Sequence, residues 1–273
     1  MSVGPRRAAV LGRPIAHSLS PVLHNAAYRA LGLSWDYTAI DCGVDEFAAL
    51  LEQRADWAGF SLTMPLKRAG FDLASGRSAR AEVIGAANTL LPDETGWHAD
   101  NTDVLGVLGA VREAGTAPKS VTVLGAGGTA QAVVAAVAEL GLGECGVLVR
   151  DRARTTELQG TAERAGVRLV IDDLDSGAAA VGSDLVVSTL PAGAADGFAK
   201  APWRPGQCIL DAVYAPWPTV LATAAAQRGA TVLSGALMLL HQAVAQVELM
   251  TGQPAPVQAM RDALRAAAPQ SGL

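Results

Sequence analysis

One segment near the middle of the chain restricts the fold more than any other. A short apolar strand, Val121-Thr122-Val123-Leu124, runs directly into Gly125-Ala126-Gly127-Gly128-Thr129-Ala130, and an Ala/Val-rich helical run follows. This is G-x-G-x-x-A between a strand and a helix. The first glycine permits the tight turn, the second lets a pyrophosphate reach the backbone, and the closing alanine lets helix and strand pack closely. The helix N-terminus favours an anion at the same place. Further apolar strands are expected at 146–149, 185–189 and 208–213. Short apolar strands alternating with helices specify a doubly wound parallel sheet of α/β type, covered on both faces. The same glycines also suit an ordinary strand–helix turn, so the dinucleotide reading leans on their flanks.

The first hundred residues alternate in the same manner but less cleanly. Strands are expected at 8–11, 37–41, 59–63 and 88–91, the last followed by a turn over 92–96. A helix is expected from Ser20-Pro21 to Leu31, with Ser20 as N-cap, Pro21 at the first helical position and Gly32 as the stop. Residues 45–51 form another helix, and 237–268 read as helical with a break at Gly252-Gln253-Pro254. A length of 273 residues fits two modest domains, each with its own core.

Composition narrows the function. Half the residues are apolar and only 4% aromatic, which suits a globular fold of small side chains rather than disorder. A net charge of −5 offers no basic footprint for nucleic acid. Cys42, Cys145 and Cys208 are too scattered for a disulfide framework or a zinc motif and suit a reducing cytoplasm. His17, His24, His98 and His241 show no metal-ligand spacing, so no metal is expected. Arg6 and Arg7 precede an apolar run, but Gly12-Arg13-Pro14 breaks it too early for an export signal. No apolar stretch is long enough for a bilayer. The expectation is a cytoplasmic protein with a small-molecule partner and no membrane or nucleic-acid partner; monomer and homodimer both remain open.

Several polar clusters offer chemistry, each with a plainer reading beside it. Ser18 and Ser20 stand two residues apart at a helix start, where hydroxyls and free N–H groups can hold a carboxylate; equally, Ser20 is a cap and Ser18 surface. Lys67 lies past the end of a strand, where sites of α/β sheets gather; equally, it is a solvated charge. Asp103 opens a helical stretch and fits a first-turn carboxylate. Asn88 fits a loop polar group.

Together these pieces form a pattern. The string Gly12-Arg13-Pro14-Ile15-Ala16-His17-Ser18-Leu19-Ser20-Pro21 closely resembles the opening motif of shikimate dehydrogenases. Leu62-Thr63-Met64-Pro65-Leu66-Lys67, Ala87-Asn88-Thr89-Leu90, Asp100-Asn101-Thr102-Asp103, the turn at 125–130, Asp211-Ala212-Val213-Tyr214 and Gly235-Ala236-Leu237-Met238-Leu239-Leu240-His241-Gln242 follow in family order. The resemblance spans residues 8–258. It implies a Rossmann-type dinucleotide domain over 104–236, and a discontinuous α/β substrate domain made of 1–103 and 237–273.

Position by position, the resemblance makes Lys67 and Asp103 the catalytic pair. Ser18 and Ser20 become holders of a substrate carboxylate, with Tyr214 nearby, while Thr63, Asn88 and Gln242 become partners of substrate hydroxyls. Gly125, Ala126, Gly127, Gly128, Thr129, Ala130, Arg150, Arg154, Thr189, Gly235 and Met238 become cofactor contacts. The chain departs from the family at Ser61, where Asn is common, and at Val149-Arg150-Asp151, where Asn-Arg-Thr is common. The implied activity is reversible, NADPH-dependent reduction of 3-dehydroshikimate to shikimate, a step toward chorismate and the aromatic amino acids. Quinate or aminoshikimate dehydrogenation is the sibling alternative. A non-catalytic nucleotide-binding regulator is the alternative of another class, and the retention of both Lys67 and Asp103 speaks against it.

The cofactor turns on the end of the second nucleotide strand. An acidic residue there pairs with the free 2′-hydroxyl of NAD, and arginine pairs with the 2′-phosphate of NADP. Arg150, Arg152 and Arg154 crowd this turn with Asp151 among them. The expectation is NADP, with NAD the alternative; an exposed charged loop without a cofactor role is the plain reading.

Overall fold

The computed structural model describes residues 4–53, 56–176 and 181–273. They divide into two compact units. One comprises the chain up to Thr102 together with Gln242–Ala268, the other Asp103–His241 with Pro269–Leu273.

The first unit runs β1 (Arg7–Gly12), α1 (Ser20–Ala30), β2 (Asp36–Asp41), α2 (Val44–Glu52), β3 (Gly59–Leu62), α3 (Leu66–Leu73), β4 (Gly76–Arg77), α4 (Ala79–Ile84), β5 (Thr89–Asp93) and β6 (Gly96–Asp100). Its mixed sheet has the order β2-β1-β3-β5-β6-β4, parallel across β2, β1 and β3 and antiparallel from β3 to β5 to β6. Strand periodicity sorts β1 onto two cores. Ala8 and Val10 meet Tyr28, Trp35, Tyr37 and Met250, while Ala9 and Leu11 join Phe47, Leu51, Trp57, Phe60 and Leu66.

The second unit runs α5 (Asp103–Glu113), β7 (Val121–Leu124), α6 (Gly128–Glu139), β8 (Glu144–Val149), α7 (Thr156–Ala165), β9 (Arg168–Asp173), β10 (Leu185–Ser188), β11 (Cys208–Asp211), α8 (Val220–Gln227) and β12 (Thr231–Ser234). Its strands lie in the order β12-β11-β10-β7-β8-β9, and every neighbouring pair is parallel. The order therefore reverses between β7 and β10, the doubly wound arrangement in which ligands bind beyond the strands' C-terminal ends. Two further helices, α9 (Gly235–Thr251) and α10 (Val257–Ala267), complete the chain. α10 packs on α1 within the first unit.

The expected α/β architecture is therefore present, with differences in detail. Residues 92–96 are not all turn: β5 continues to Asp93 and pairs with β6 as a hairpin. Ser20 is not the cap of α1. Leu19 occupies that position, and the Leu19 carbonyl accepts from the N–H groups of Val22 (3.1 Å) and Leu23 (3.2 Å). The reason is local: Ser18 Oγ already accepts from the Ser20 N–H (3.3 Å), closing the serine turn one residue earlier. Cys42, Cys145 and Cys208 are buried free thiols; burial pushes Cys145 up to about 12 and Cys208 to about 11. Among the described residues no helix is long and apolar enough to cross a membrane, and no cluster of potential metal ligands occurs.

Candidate active site and nucleotide cleft

The second unit carries a cavity of about 560 Å³ at the C-terminal ends of β7, β8 and β10. Gly125, Ala126 and Gly127 form one wall, Val149, Arg150, Asp151, Ala153 and Arg154 a second, Thr189, Leu190 and Pro191 a third. Gly125 has φ +104°, and a Cβ there would meet Thr189 Oγ1 at 2.6 Å. That hydroxyl is held by donation to the Leu124 carbonyl (2.8 Å), so the turn needs glycine at this position. Gly127 and Gly128 have open space where a side chain would stand, and the N–H groups of the first turn of α6 are available to an anion. Gly128 opens α6, Thr129 is half-buried, and Ala130 is fully buried.

The charged rim is sorted by its hydrogen bonds. Asp151 Oδ1 accepts from the Ala153 N–H (2.9 Å), capping the 3-10 turn Arg152–Thr155. Arg152 pairs with Asp172 (3.4 Å). Arg150 and Arg154 line the cavity and are exposed, and their guanidiniums have no hydrogen-bond or ion-pair partner among the described residues. Two uncommitted guanidiniums beside a glycine turn are a donor set for a phosphate monoester. Open glycines, helix N-terminus and paired arginines together fit a phosphorylated dinucleotide.

Near the end of β11, buried Asp211 accepts from the Val213 N–H (3.2 Å) and the Thr219 hydroxyl (2.8 Å), bracketing the segment that carries half-buried Tyr214. Burial pushes the Asp211 carboxyl and the Tyr214 phenol up from their ordinary values. Gly235 opens α9 where a Cβ would collide with the Ala212 backbone. Met238 is buried one turn on.

In the first unit, strand pairing brings the separated motifs together. The Thr63 N–H donates to the Leu11 carbonyl (2.9 Å) and the Arg13 N–H to the Met64 carbonyl (3.0 Å). A Cβ at Gly12 would run into Thr63, so the opening motif and the Thr63-to-Lys67 motif touch at a glycine. The Leu62 N–H donates to the Asn88 carbonyl (2.7 Å), and the Asn88 N–H to the Asp100 carbonyl (3.0 Å). Half-buried Lys67 stands in the first turn of α3, its carbonyl accepting from the Ala87 N–H (2.8 Å). Ser18 is half-buried and Ser20 buried. Asp103 is buried in the first turn of α5 and belongs, with Tyr214 and Met238, to the second unit.

Asn88 and Gln242 are both buried, and Asn88 Nδ2 lies 3.5 Å from Gln242 Oε1. Asn88 Nδ2 also donates to Thr102 Oγ1 (3.0 Å), and Oδ1 accepts from the Thr102 N–H (2.8 Å) and the Thr89 hydroxyl (2.8 Å). Behind this pair stands Gln246, which the sequence reading missed; it is 1% exposed and bonded to Ser61, Thr89 and the Asn88 carbonyl. The available signal was a second glutamine one helical turn after Gln242 within an Ala/Val run.

A family model described as the shikimate dehydrogenase substrate binding domain matches residues 10–90, and one described as the shikimate 5′-dehydrogenase C-terminal domain matches residues 235–265. Shikimate dehydrogenase (NADP(+)) of Moorella thermoacetica is 36% identical to this chain, the alignment covering 95% of the chain and 92% of that protein. Among solved structures, shikimate dehydrogenase of Mycobacterium tuberculosis superposes with a TM-score of 0.87 at 47% identity, covering 96% of this chain and 100% of that one. Shikimate 5-dehydrogenase of Thermus thermophilus, solved with NADP(H) and shikimate, gives a TM-score of 0.82 at 33% identity over 96% of this chain and 99% of that one.

Proposed function

This chain belongs to the shikimate dehydrogenase family, and from that premise we propose that it reduces 3-dehydroshikimate to shikimate reversibly with NADPH. The observation that carries the reading is a coincidence within one chain. Hydroxyl, amide and lysine motifs meet along neighbouring strands, and a glycine-turn cavity offers two uncommitted guanidiniums. The first unit serves as the substrate-binding domain and the second as the dinucleotide domain.

Each role follows from the chemistry of its side chain. Ser18 and Ser20 hold the ring carboxylate with hydroxyl donors, while Thr63, Asn88 and Gln242 orient the ring hydroxyls. Arg150 and Arg154 take the 2′-phosphate. The nicotinamide supplies hydride chemistry when the dinucleotide is bound. As the ketone becomes an alcohol, negative charge grows on its oxygen. Lys67 donates a hydrogen bond to that oxygen and then the proton, and Asp103 orients the ammonium. In the oxidative direction Lys67 takes the proton back.

The test is a steady-state panel of shikimate and quinate, each with NADP⁺ and NAD⁺. The expected result is the highest kcat/KM for shikimate with NADP⁺. Absence of shikimate oxidation with either cofactor overturns the reading.

A further inference from the structure

The cavity of the second unit carries charge of both signs. Arg150 and Arg154 face it, and so do Asp151 and Glu157. Asp151 Oδ1 is engaged as the cap of the 3-10 turn. Glu157 stands in the first turn of α7, where a carboxylate suits the helix N-terminus. Its surroundings give it a second role. Gln131 of α6 is only 5% exposed, and its Nε2 donates across to Glu157 Oε2 (3.3 Å). An amide carries no charge, so this bond holds the carboxylate at the cavity wall without cancelling it. The Glu157 carboxylate forms no ion pair among the described residues, with Arg150 and Arg154 or with any other cation. A full negative charge therefore shares the cavity with the two guanidiniums.

We propose that Glu157 is a specificity-determining residue of the dinucleotide site: its carboxylate works against the 2′-phosphate and narrows the NADPH preference that Arg150 and Arg154 create. This rests on the proposed binding of that phosphate by the two arginines. A phosphate monoester is close to doubly negative at neutral pH. A round cavity of about 560 Å³ is about 10 Å across, so a phosphate inside it lies in the field of any charge on the wall. The arginines act by short, directed hydrogen bonds, whereas the carboxylate acts from a distance and needs no contact. NADH lacks the 2′-phosphate, and its pyrophosphate belongs at the glycine wall, where the N–H groups of α6 offset the repulsion. The carboxylate therefore bears unequally on the two cofactors. Because Glu157 is exposed, dissolved ions screen it, and the discrimination is largest at low salt.

The experiment is isothermal titration of NADPH and NADH, without substrate, into wild type and Glu157→Gln. The substitution keeps an acceptor for Gln131 and removes only the charge. NADPH should bind about fourfold more tightly at low salt, the worth of one charge against a doubly charged phosphate about 10 Å away. At roughly 0.5 M salt the gain should shrink below about twofold, and NADH should change by less than about twofold at either salt. A fall in melting temperature with both affinities unchanged would leave Glu157 a helix-end carboxylate and overturn the inference. Equal tightening of both cofactors, a gain for NADPH that survives high salt, or weaker NADPH binding would overturn it as well. Arg150→Ala with Arg154→Ala, titrated alongside, separates the inference from its premise. If that pair leaves NADPH binding unchanged, the phosphate assignment falls and the role of Glu157 with it. If the pair weakens NADPH while Glu157→Gln does nothing, the role of Glu157 falls alone.

Discussion

Removing the guanidinium of Arg150 tests the cofactor assignment most directly. Arg150 and Arg154 face the cavity without partners in the described residues, so substitution to alanine strands no buried charge and loosens no ion pair. The loss should appear almost wholly in binding of the 2′-phosphate. A charge-assisted hydrogen bond at an exposed rim sits at the weak end of its range, so each arginine should contribute about tenfold in KM for NADPH and the pair about a hundredfold. KM for NADH, which lacks the phosphate, should stay within about threefold. Asp151 refines the test, because its carboxylate is engaged with the Ala153 N–H (2.9 Å). Asparagine keeps that cap while removing the charge. Two unit charges roughly 7 Å apart in water repel by about 0.6 kcal/mol, so Asp151→Asn should lower KM for NADPH about threefold. Steady-state kinetics with both cofactors at low and raised salt is the assay, and the NADPH advantage should shrink as salt screens the rim. A preference for NADH in wild type, or an NADPH preference unchanged in Arg150→Ala with Arg154→Ala, refutes the assignment.

Lys67→Ala should lower kcat roughly 10²–10⁴-fold with a smaller change in substrate affinity, and adding Asp103→Asn should cost far less than the product of the two single effects; turnover within a few-fold of wild type would make Lys67 an ordinary half-buried lysine. Ser18→Ala with Ser20→Ala should raise KM for shikimate at least about tenfold, with melting temperature falling only by what the lost Ser18 Oγ bond to the Ser20 N–H contributes; a fall in melting temperature with KM unchanged would restore the plain helix-start reading. His24 is fully buried and stacked on Tyr37 at 3.9 Å, its Nδ1 bonded to the Ser20 carbonyl at 2.9 Å, and burial lowers its pKa to about 4. Its folded value lies below its unfolded value, so the unfolded chain binds the extra proton between them. The stability at stake, on the order of 3 kcal/mol, is intact above pH about 6.5 and drains away as pH falls toward 4. Urea unfolding of wild type and His24→Leu across that window should show a shallower pH slope in the variant; equal slopes would mean that His24 charges without cost.

The parts of the fold legible in the sequence were those where one local signal sufficed. The strand and glycine turn at 121–130 define their own geometry, and Gly252-Gln253-Pro254 separates α9 from α10 where expected. Elements that depend on a partner were not legible. β6 alternates Trp97 and Ala99 inward with polar residues between, too short a pattern to read without β5 beside it. β9 is a sheet edge, largely exposed, whose Arg168 and Asp172 leave it without the apolar run that marks the buried strands. The site followed the same division. Motif residues stood out by type and spacing, but Ser20 was misread as a cap because Ser18 takes the Ser20 N–H. Gln246 offered only its place one helical turn after Gln242 in an Ala/Val run, which does not by itself separate a buried glutamine from a solvated one.

The 3-10 turn Arg152–Thr155 has one buried residue, Thr155, and on its far side leads straight into α7. In the proposed assignment Arg150 and Arg154, which would take the 2′-phosphate, project from this short arch and the residues just before it, while the sheet beneath is anchored by Val147, Leu148 and Val149. Cofactor choice is in that sense a detachable trait. Arg150 and Arg154 are exposed with unpaired guanidiniums among the described residues, so changes there should leave the scaffold's stability nearly untouched, whereas a change at Asp151 must also keep the cap on the Ala153 N–H. If the proposed roles hold, a lineage moving between cellular pools of reduced cofactor has a path through this arch that leaves the proposed substrate contacts of the first unit untouched.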